Sequence, residues 1–228
     1  MGMSNESLQS IIQGFIKITD VTDSENPSVL VDKQNAIHFE NMSQALAYNL
    51  ANKKTNFLYE MHFGNGGTAV DPTGVINYLP ANVNTQNSNL YNPTFYKIID
   101  DTSDLNTDPI RNNMTIRHVP GTVYTDILVT CLMNYGEPAG QFAFDNSTQT
   151  DGTFVFDELG LRGWSSAGPG TGKLLTHVVF HPIQKSLNRL IQIDYTVRIQ
   201  TLTNLTNQVW IIANYKYKRG VEISWHIT

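Results

Sequence analysis

The chain has 228 residues, enough for one large or two small domains, and a formal net charge of −5. Only 15% of its residues are charged, against roughly 25% in typical soluble domains, so we expect a surface of uncharged polar side chains. The negative balance argues against binding to nucleic acid, and no apolar run reaches the roughly 18 residues that a transmembrane helix requires. Residues 1–20 lack the pattern of a signal peptide, which predicts a soluble protein made in a cytoplasm.

The N-terminal region contains two short predicted strands and one predicted helix. Residues 11–20 and 28–32 are strand-like and flank a cluster of turn-forming residues, which indicates an N-terminal arm or hairpin over residues 1–34. We expect a helix between residues 35 and 54 that packs its apolar face on a sheet. The apolar residues that recur there at helical spacing are Phe39, Met42, Leu46 and Leu50.

A glycine-rich turn and a long loop follow the next predicted strand. Residues 57–63 are strand-like, and the sequence Gly-Asn-Gly-Gly-Thr at 64–68 allows positive φ angles and a sharp turn. Residues 71–93 are rich in Asn, Pro and Gly, which predicts a long irregular loop that serves as a contact surface. The residues expected to anchor this loop or to form its interface are Tyr78, Leu79, Leu90 and Tyr91.

Six further strand-like segments follow this loop. They cover residues 94–99, 114–118, 123–132, 156–161, 173–180 and 190–199. In the last segment the odd-numbered residues are apolar, which is typical of a strand with one buried face. Pro182 lacks a backbone donor and is predicted to end the strand before it. Residues 165–172 form a connecting loop, and we expect the last three segments to form an antiparallel meander.

Two sequence patterns look like ligand-binding motifs but lack the residues or the spacing that binding requires. The sequence Gly-Pro-Gly-Thr-Gly-Lys at 168–173 is similar to a phosphate-binding loop, but Ala167 stands where that motif needs glycine and Leu174 where it needs Ser or Thr. His177 and His181 lie roughly 13 Å apart if the segment is a strand, so one metal ion cannot bind both. The sequence therefore predicts neither a nucleotide site nor a metal site.

The remaining reactive side chains favour structural roles. Cys131 lies in an apolar run and is expected to be a buried, inert thiol. Asp100 and Asp101 are expected in a solvated loop, whereas the pair Asp157 and Glu158 lies in an apolar segment. We expect Glu158 to accept a hydrogen bond from a turn. No catalytic residues and no cofactor are predicted.

Residues 201–228 form a C-terminal extension that is predicted to be one more β-hairpin, made by segments 208–213 and 221–227. The hairpin either completes the core of the same domain or adds strands to a neighbouring subunit, since edge strands are templates for pairing. Aromatic residues are favoured at interfaces. The further candidate interface residues are Trp164, Trp210, Tyr215, Tyr217 and Trp225.

Residues 57–199 contain four motifs in a fixed order. They are the glycine-rich turn at 64–68, Asp-Glu-Leu-Gly-Leu at 157–161, Pro-Ile-Gln-Lys-Ser at 182–186 and Ile-Asp-Tyr-Thr-Val at 193–197. This order resembles a β-domain of tailed-bacteriophage structural proteins, found in neck, collar, baseplate and tail-fibre-attachment components. Residues 35–43, Asn-Ala-Ile-His-Phe-Glu-Asn-Met-Ser, are similar to the start of phage structural proteins of the same larger type. The resemblance implies an oligomeric β-sandwich without catalytic residues.

We therefore expect a mainly β fold, an antiparallel, jelly-roll-like β-sandwich over residues 35–200 with one packed amphipathic helix near its N-terminus. The expected function is a non-enzymatic part of a virion that is assembled in the bacterial cytoplasm. It would form an oligomeric ring or connector in the neck, collar or tail, and would bind copies of itself and other virion proteins. The alternative is a receptor- or glycan-binding module at the tail tip or fibre base that uses the loop at 71–93. A virion-associated hydrolase is the third hypothesis.

Overall fold

The computed structural model describes residues 8–138 and 153–203. In these ranges the chain is mainly β with one helix, as the sequence predicted. The helix is α1 (Phe39–Leu50), and it is too short to cross a membrane. The strands are β1 (Leu8–Asp20), β2 (Ser28–Ile37), β3 (Leu58–Gly64), β4 (Thr68–Val70), β5 (Ile76–Tyr78), β6 (Pro93–Ile98), β7 (Asn113–His118), β8 (Tyr124–Met133), β9 (Thr153–Gly163), β10 (Thr176–Ser186) and β11 (Ile191–Thr203).

Nine of these strands form one antiparallel sheet in the order β6-β3-β9-β10-β2-β1-β11-β8-β7, and β4 and β5 form a separate small hairpin. The pairing between β10 and β2 is short, since it consists of Thr176 with Ile37 and His177 with Ala36. This short pairing joins a four-stranded half to a five-stranded half. Buried apolar side chains from both halves form a single cluster, so the sheet curls around one core.

β1 and β2 form a hairpin, which is one of the two alternatives that the sequence left open, and β1 lies between β2 and β11 in the five-stranded half. β1 pairs along its whole length with β11, from Leu8 opposite Thr203 to Asp20 opposite Ile191. The predicted alternation in β11 is confirmed, because its apolar residues at 191, 193, 195 and 197 are all buried. The long β1–β11 pair therefore provides much of the inner face of the sheet.

The predicted meander of the last three segments is wrong. β9 and β10 are antiparallel neighbours, but β11 pairs with β1 and β8 in the other half of the sheet. The connection between β10 and β11 is held across the halves by Arg189, whose Nη2 lies 2.6 Å from Asp20 Oδ2. Alternation identifies the buried face of a strand but not its partner, and this ion pair carried no signal in the sequence.

Pro182 does not end a strand, contrary to the prediction. β10 continues to Ser186, and its register with β9 shifts between Val179 and Ile183. Such an irregularity leaves a residue without its ladder bond, so proline is tolerated there. The strand therefore bends at Pro182 and pairs again beyond it.

The apolar face of α1 is covered over only part of its length. Met42 and Ala45 are buried, whereas Phe39 is 77% exposed and Leu50 is 88% exposed. The expectation that the whole stripe packs on the sheet is wrong. Phe39 and Leu50 are the first and last residues of α1, so the covered part of its face is the middle. Asn41 also lies on the buried face, where it donates hydrogen bonds to Gln86 O and Leu174 O.

We expect Ile193→Ala to lower the free energy of unfolding by about 3 kcal/mol, because the fully buried side chain leaves a cavity in the core. Ile116→Ala is the matched control, since Ile116 lies on β7 of the same half of the sheet and is 78% exposed. It should cost less than about 1 kcal/mol. Urea denaturation followed by circular dichroism measures both, and equal losses would contradict the assignment of the core.

Candidate functional site

The predicted loop residues lie at the surface, with one exception. Tyr78 is 53% exposed, Tyr91 is 40% exposed and Leu79 is 39% exposed, whereas Leu90 is buried. Leu90 therefore anchors the loop, which is one of the two roles that the sequence predicted for it. The predicted loop at 71–93 is irregular only in part, because β5 lies within it and the chain lacks regular structure from residue 79 to β6. We call residues 65–92, which include the hairpin of β4 and β5, the contact loop.

The other candidate interface residues do not join this surface. Trp164 is half-buried after the end of β9, where its ring stacks on that of Phe57 at 5.7 Å between centroids. The remaining four candidates lie outside the described residues, as does the predicted C-terminal hairpin at 208–227. They are Trp210, Tyr215, Tyr217 and Trp225.

Glu158, in the middle of β9, is fully buried and binds both ends of the contact loop. Its Oε1 accepts hydrogen bonds from the backbone N–H groups of Gly66 (3.1 Å) and Asn92 (2.8 Å). Its Oε2 accepts from the backbone N–H of Tyr91 (2.9 Å) and from His177 Nε2 (2.9 Å). The predicted hydrogen bond from Glu158 to a turn is confirmed, and the structure adds the second end of the loop.

Asp157, which precedes Glu158 in β9, binds the same turn. Its Oδ1 accepts from the backbone N–H of Gly67 (2.9 Å), and its Oδ2 accepts from the backbone N–H of Thr68 (2.8 Å). The Thr68 hydroxyl donates to the same oxygen. Two adjacent carboxylates therefore fix consecutive backbone groups where the contact loop begins.

The glycines of this turn are needed for close approach and not for positive φ, which corrects the prediction. None of Gly64, Gly66 and Gly67 has a φ in the left-handed range. A Cβ atom at Gly66 would lie 2.8 Å from the backbone nitrogen of Asn92, and one at Gly67 would lie 2.9 Å from a methyl group of Val179. Their small size lets the backbone reach the carboxylates of β9.

The middle of the contact loop is tied to the protein by separate polar contacts. The backbone N–H of Asn82 donates to His177 Nδ1 at 2.7 Å. His38, which caps the N-terminus of α1, donates its Nε2–H to Thr85 O at 2.6 Å, since its Nδ1 accepts from the N–H of Asn41. These contacts hold the loop along its length, so an irregular segment has a fixed shape.

The exposed tyrosines of the contact loop are fixed through their hydroxyl groups. The Tyr91 hydroxyl donates to Pro80 O at 2.8 Å, and the Tyr78 hydroxyl lies 3.2 Å from His181 Nδ1. The backbone N–H of Leu79 donates to Gly67 O at 2.8 Å. The loop thus presents two partly exposed rings and one leucine at set positions.

The buried Glu158–His177 pair is not arranged for acid–base catalysis. Because His177 Nδ1 accepts from the N–H of Asn82, its Nε2 carries the proton donated to Glu158, and both ring nitrogens are engaged. A general base must have a lone pair within reach of a substrate. The predicted inert thiol is also confirmed, because burial raises the pKa of Cys131 to about 12. Within residues 8–138 and 153–203, no three His, Cys, Asp or Glu side chains are grouped to hold a metal ion.

Comparisons with protein-family models, with curated proteins and with solved structures each found no match. Two contributors to the geometry, His38 and Asn82, were not predicted. A buried capping histidine and a backbone donor in an irregular loop leave no periodic signal in a sequence.

We expect Glu158→Gln to loosen the contact loop, because the glutamine N–H₂ would face the Tyr91 N–H and His177 donors without an acceptor. The free energy of unfolding should fall by roughly 3 kcal/mol. Hydrogen exchange measured by NMR should accelerate at the amides of Gly66, Tyr91 and Asn92 before other sites. Glu25→Gln, in the exposed β1–β2 turn, is the control. Unchanged exchange at the three amides would contradict the role of Glu158 as a clamp.

Acid should weaken the same clamp. Burial by itself raises the pKa of Glu158, but the bonds from His177, Asn92 and Tyr91 outweigh it and hold the pKa below its ordinary value of 4.5. The ionised form therefore contributes stability that is complete well above pH 4.5 and is lost as the pH falls through the lower folded-state value. We expect the difference in unfolding free energy between wild type and Glu158→Gln to be constant above pH 4.5 and to shrink below it. A difference that stays constant in acid would contradict this assignment.

Proposed function

We propose that the protein is a non-enzymatic structural component of a tailed-phage virion, which forms an oligomeric ring or connector in the neck, collar or tail. In this role it binds copies of itself and other virion proteins through surfaces of fixed shape. The observation that carries the proposal is the contact loop, a long and largely irregular segment whose two ends are fixed by the buried carboxylate of Glu158. Long loops fixed in this way commonly serve as contact surfaces.

Two of the motifs behind the phage resemblance, together with the similar segment at 35–43, meet around the contact loop, which supports the proposal. The Gly-Asn-Gly-Gly-Thr turn at 64–68 is hydrogen-bonded to Asp157 and Glu158, the first residues of the Asp-Glu-Leu-Gly-Leu motif. The similar segment at 35–43 contains His38 and Asn41, which bind the middle of the contact loop. Motifs that are distant in the sequence therefore act together on one surface.

We further propose that the curled sheet is a jelly-roll-like β-sandwich and that its edge strand β7 takes part in assembly. One contact between the halves supports the sandwich: Lys97 Nζ of β6 donates to Leu132 O of β8 at 2.7 Å, although these two strands are not neighbours in the sheet. Within residues 8–138 and 153–203, β7 has a neighbouring strand on one side only. An edge strand offers backbone groups to a neighbouring chain, and β7 also exposes Ile116.

The first test combines light scattering of the purified full chain with labelled-antibody electron microscopy of purified virions. We expect a closed oligomer in solution and label at the neck, collar, baseplate or tail. A monomer in solution, or a protein absent from the particles, would contradict the proposal.

Substitutions on the contact loop should weaken assembly without unfolding the chain. Tyr78→Ala combined with Leu79→Ser removes two exposed contact residues, and we expect the association constant to fall at least about tenfold. Tyr135→Ala is the matched control, because Tyr135 is 52% exposed but lies in the turn after β8. Sedimentation velocity measures association, and equal effects of both variants would contradict a role for the contact loop.

A further inference from the structure

A second surface feature is a cleft of about 520 Å³ that none of the contact-loop residues lines. It is lined by the last turn of α1 and the residues that follow it, by the residue before the start of β3, and by the residue after the end of β9. Its volume is within the range of roughly 300–1,000 Å³ that is usual for small-molecule sites. Its lining residues are Asn49, Asn52, Lys54, Phe57 and Trp164.

The aromatic wall of this cleft is rigid. The rings of Phe57 and Trp164 are nearly parallel, with 9° between their planes. Two backbone bonds join the segments that carry them, from Asn56 N–H to Trp164 O (3.1 Å) and from Trp164 N–H to Phe57 O (2.7 Å). A third ring, that of Tyr59, meets Phe57 edge to face. The aromatic surface is therefore already formed before any ligand binds.

The polar wall is held in an unusual backbone conformation. Asn52, Lys54 and Asn56 have φ angles of 52°, 47° and 55°, in the left-handed region that residues other than glycine rarely adopt. Asn52 directly follows the C-cap Ala51, where a left-handed residue is common. Lys54 and Asn56 have no such helix-ending role. Backbone strain of this kind concentrates at ligand-binding sites.

The charges around the cleft favour an uncharged ligand. Among the lining residues that the structure describes, Lys54 carries the only formal charge and none is a carboxylate, so a cation would meet repulsion without a counterion. The carbonyl end of α1 carries partial negative charge, which opposes a strong anion. Asn49 and Asn52 contribute amide groups, and the amide of Asn49 is oriented by a bond from its Nδ2 to Ala45 O (2.7 Å).

We propose that this cleft binds a neutral pyranose unit of a saccharide. The C–H face of the sugar ring packs on the face of Trp164 that is turned away from Phe57, because aromatic faces are flat and apolar, and the hydroxyl groups bond with Asn49, Asn52 and Lys54. This cleft is distinct from the contact loop. The contact loop is where the sequence predicted a glycan site under the alternative function. It does not depend on the protein being a virion connector.

The test is a titration of the full chain with short neutral oligosaccharides of hexose and of N-acetylhexosamine, followed by NMR of the tryptophan indole N–H signals. The chain has three tryptophans, and Trp164→Phe identifies the signal of Trp164 by its loss. We expect a saturable shift of that signal with at least one neutral oligosaccharide. Absence of a saturable shift with every saccharide would overturn the proposal, as would tighter binding of a uronic-acid oligosaccharide.

Variants locate the binding site. Trp164→Ala should weaken binding at least about tenfold, and Asn52→Ala should weaken it by about threefold. Tyr78→Ala, on the contact loop, is the control and should bind as the wild type does. If Trp164→Ala does not fold, Asn52→Ala and the indole shift decide the matter, because Asn52 is exposed. Loss of binding in Tyr78→Ala, with Asn52→Ala unaffected, would overturn the assignment to this cleft.

Discussion

A carboxylate without exposure to water is stable only when hydrogen-bond donors replace the water, and for Glu158 these donors come from both ends of the contact loop. The loop cannot leave the sheet unless the carboxylate loses its partners inside the protein. Its conformation is therefore coupled to the stability of β9. The same constraint requires small residues around Glu158, because Gly64 and Gly66 leave the space in which its carboxylate meets the backbone of the loop.

Other buried charges of this chain hold loops in the same manner. Lys185 is fully buried, and its Nζ donates to three backbone carbonyls, those of Asn134, Glu137 and Ser186, while burial lowers its pKa to about 8. Glu60 accepts the backbone N–H of Gly170 at 2.9 Å, and so fixes the glycine-rich loop between β9 and β10. A chain with few charged residues thus places several of them inside, where each one orders an irregular segment.

The sequence was informative where one physical signal determines one structural property. Alternation identified the buried face of β11, and the position of Glu158 in an apolar strand predicted a hydrogen-bonded carboxylate. Properties that depend on tertiary partners could not be predicted from the sequence. Examples are that β11 pairs with β1 and not with β10, and that Pro182 is tolerated because the register shifts beside it. The helix pattern also misled, since periodicity at Phe39 and Leu50 shows which residues share a face but not whether another element covers that face.

The placement of charge also bears on the kind of contact that the protein makes. The contact loop carries one charged residue, Asp71, and otherwise presents uncharged polar groups and the half-exposed rings of Tyr78 and Tyr91. Charged surfaces accelerate encounter and select partners by electrostatic complementarity. A surface of fixed shape with few charges depends instead on close packing, and because its loops are already ordered, association requires little further loss of conformational entropy. Such a surface suits long-lived contacts between subunits better than transient electrostatic encounters.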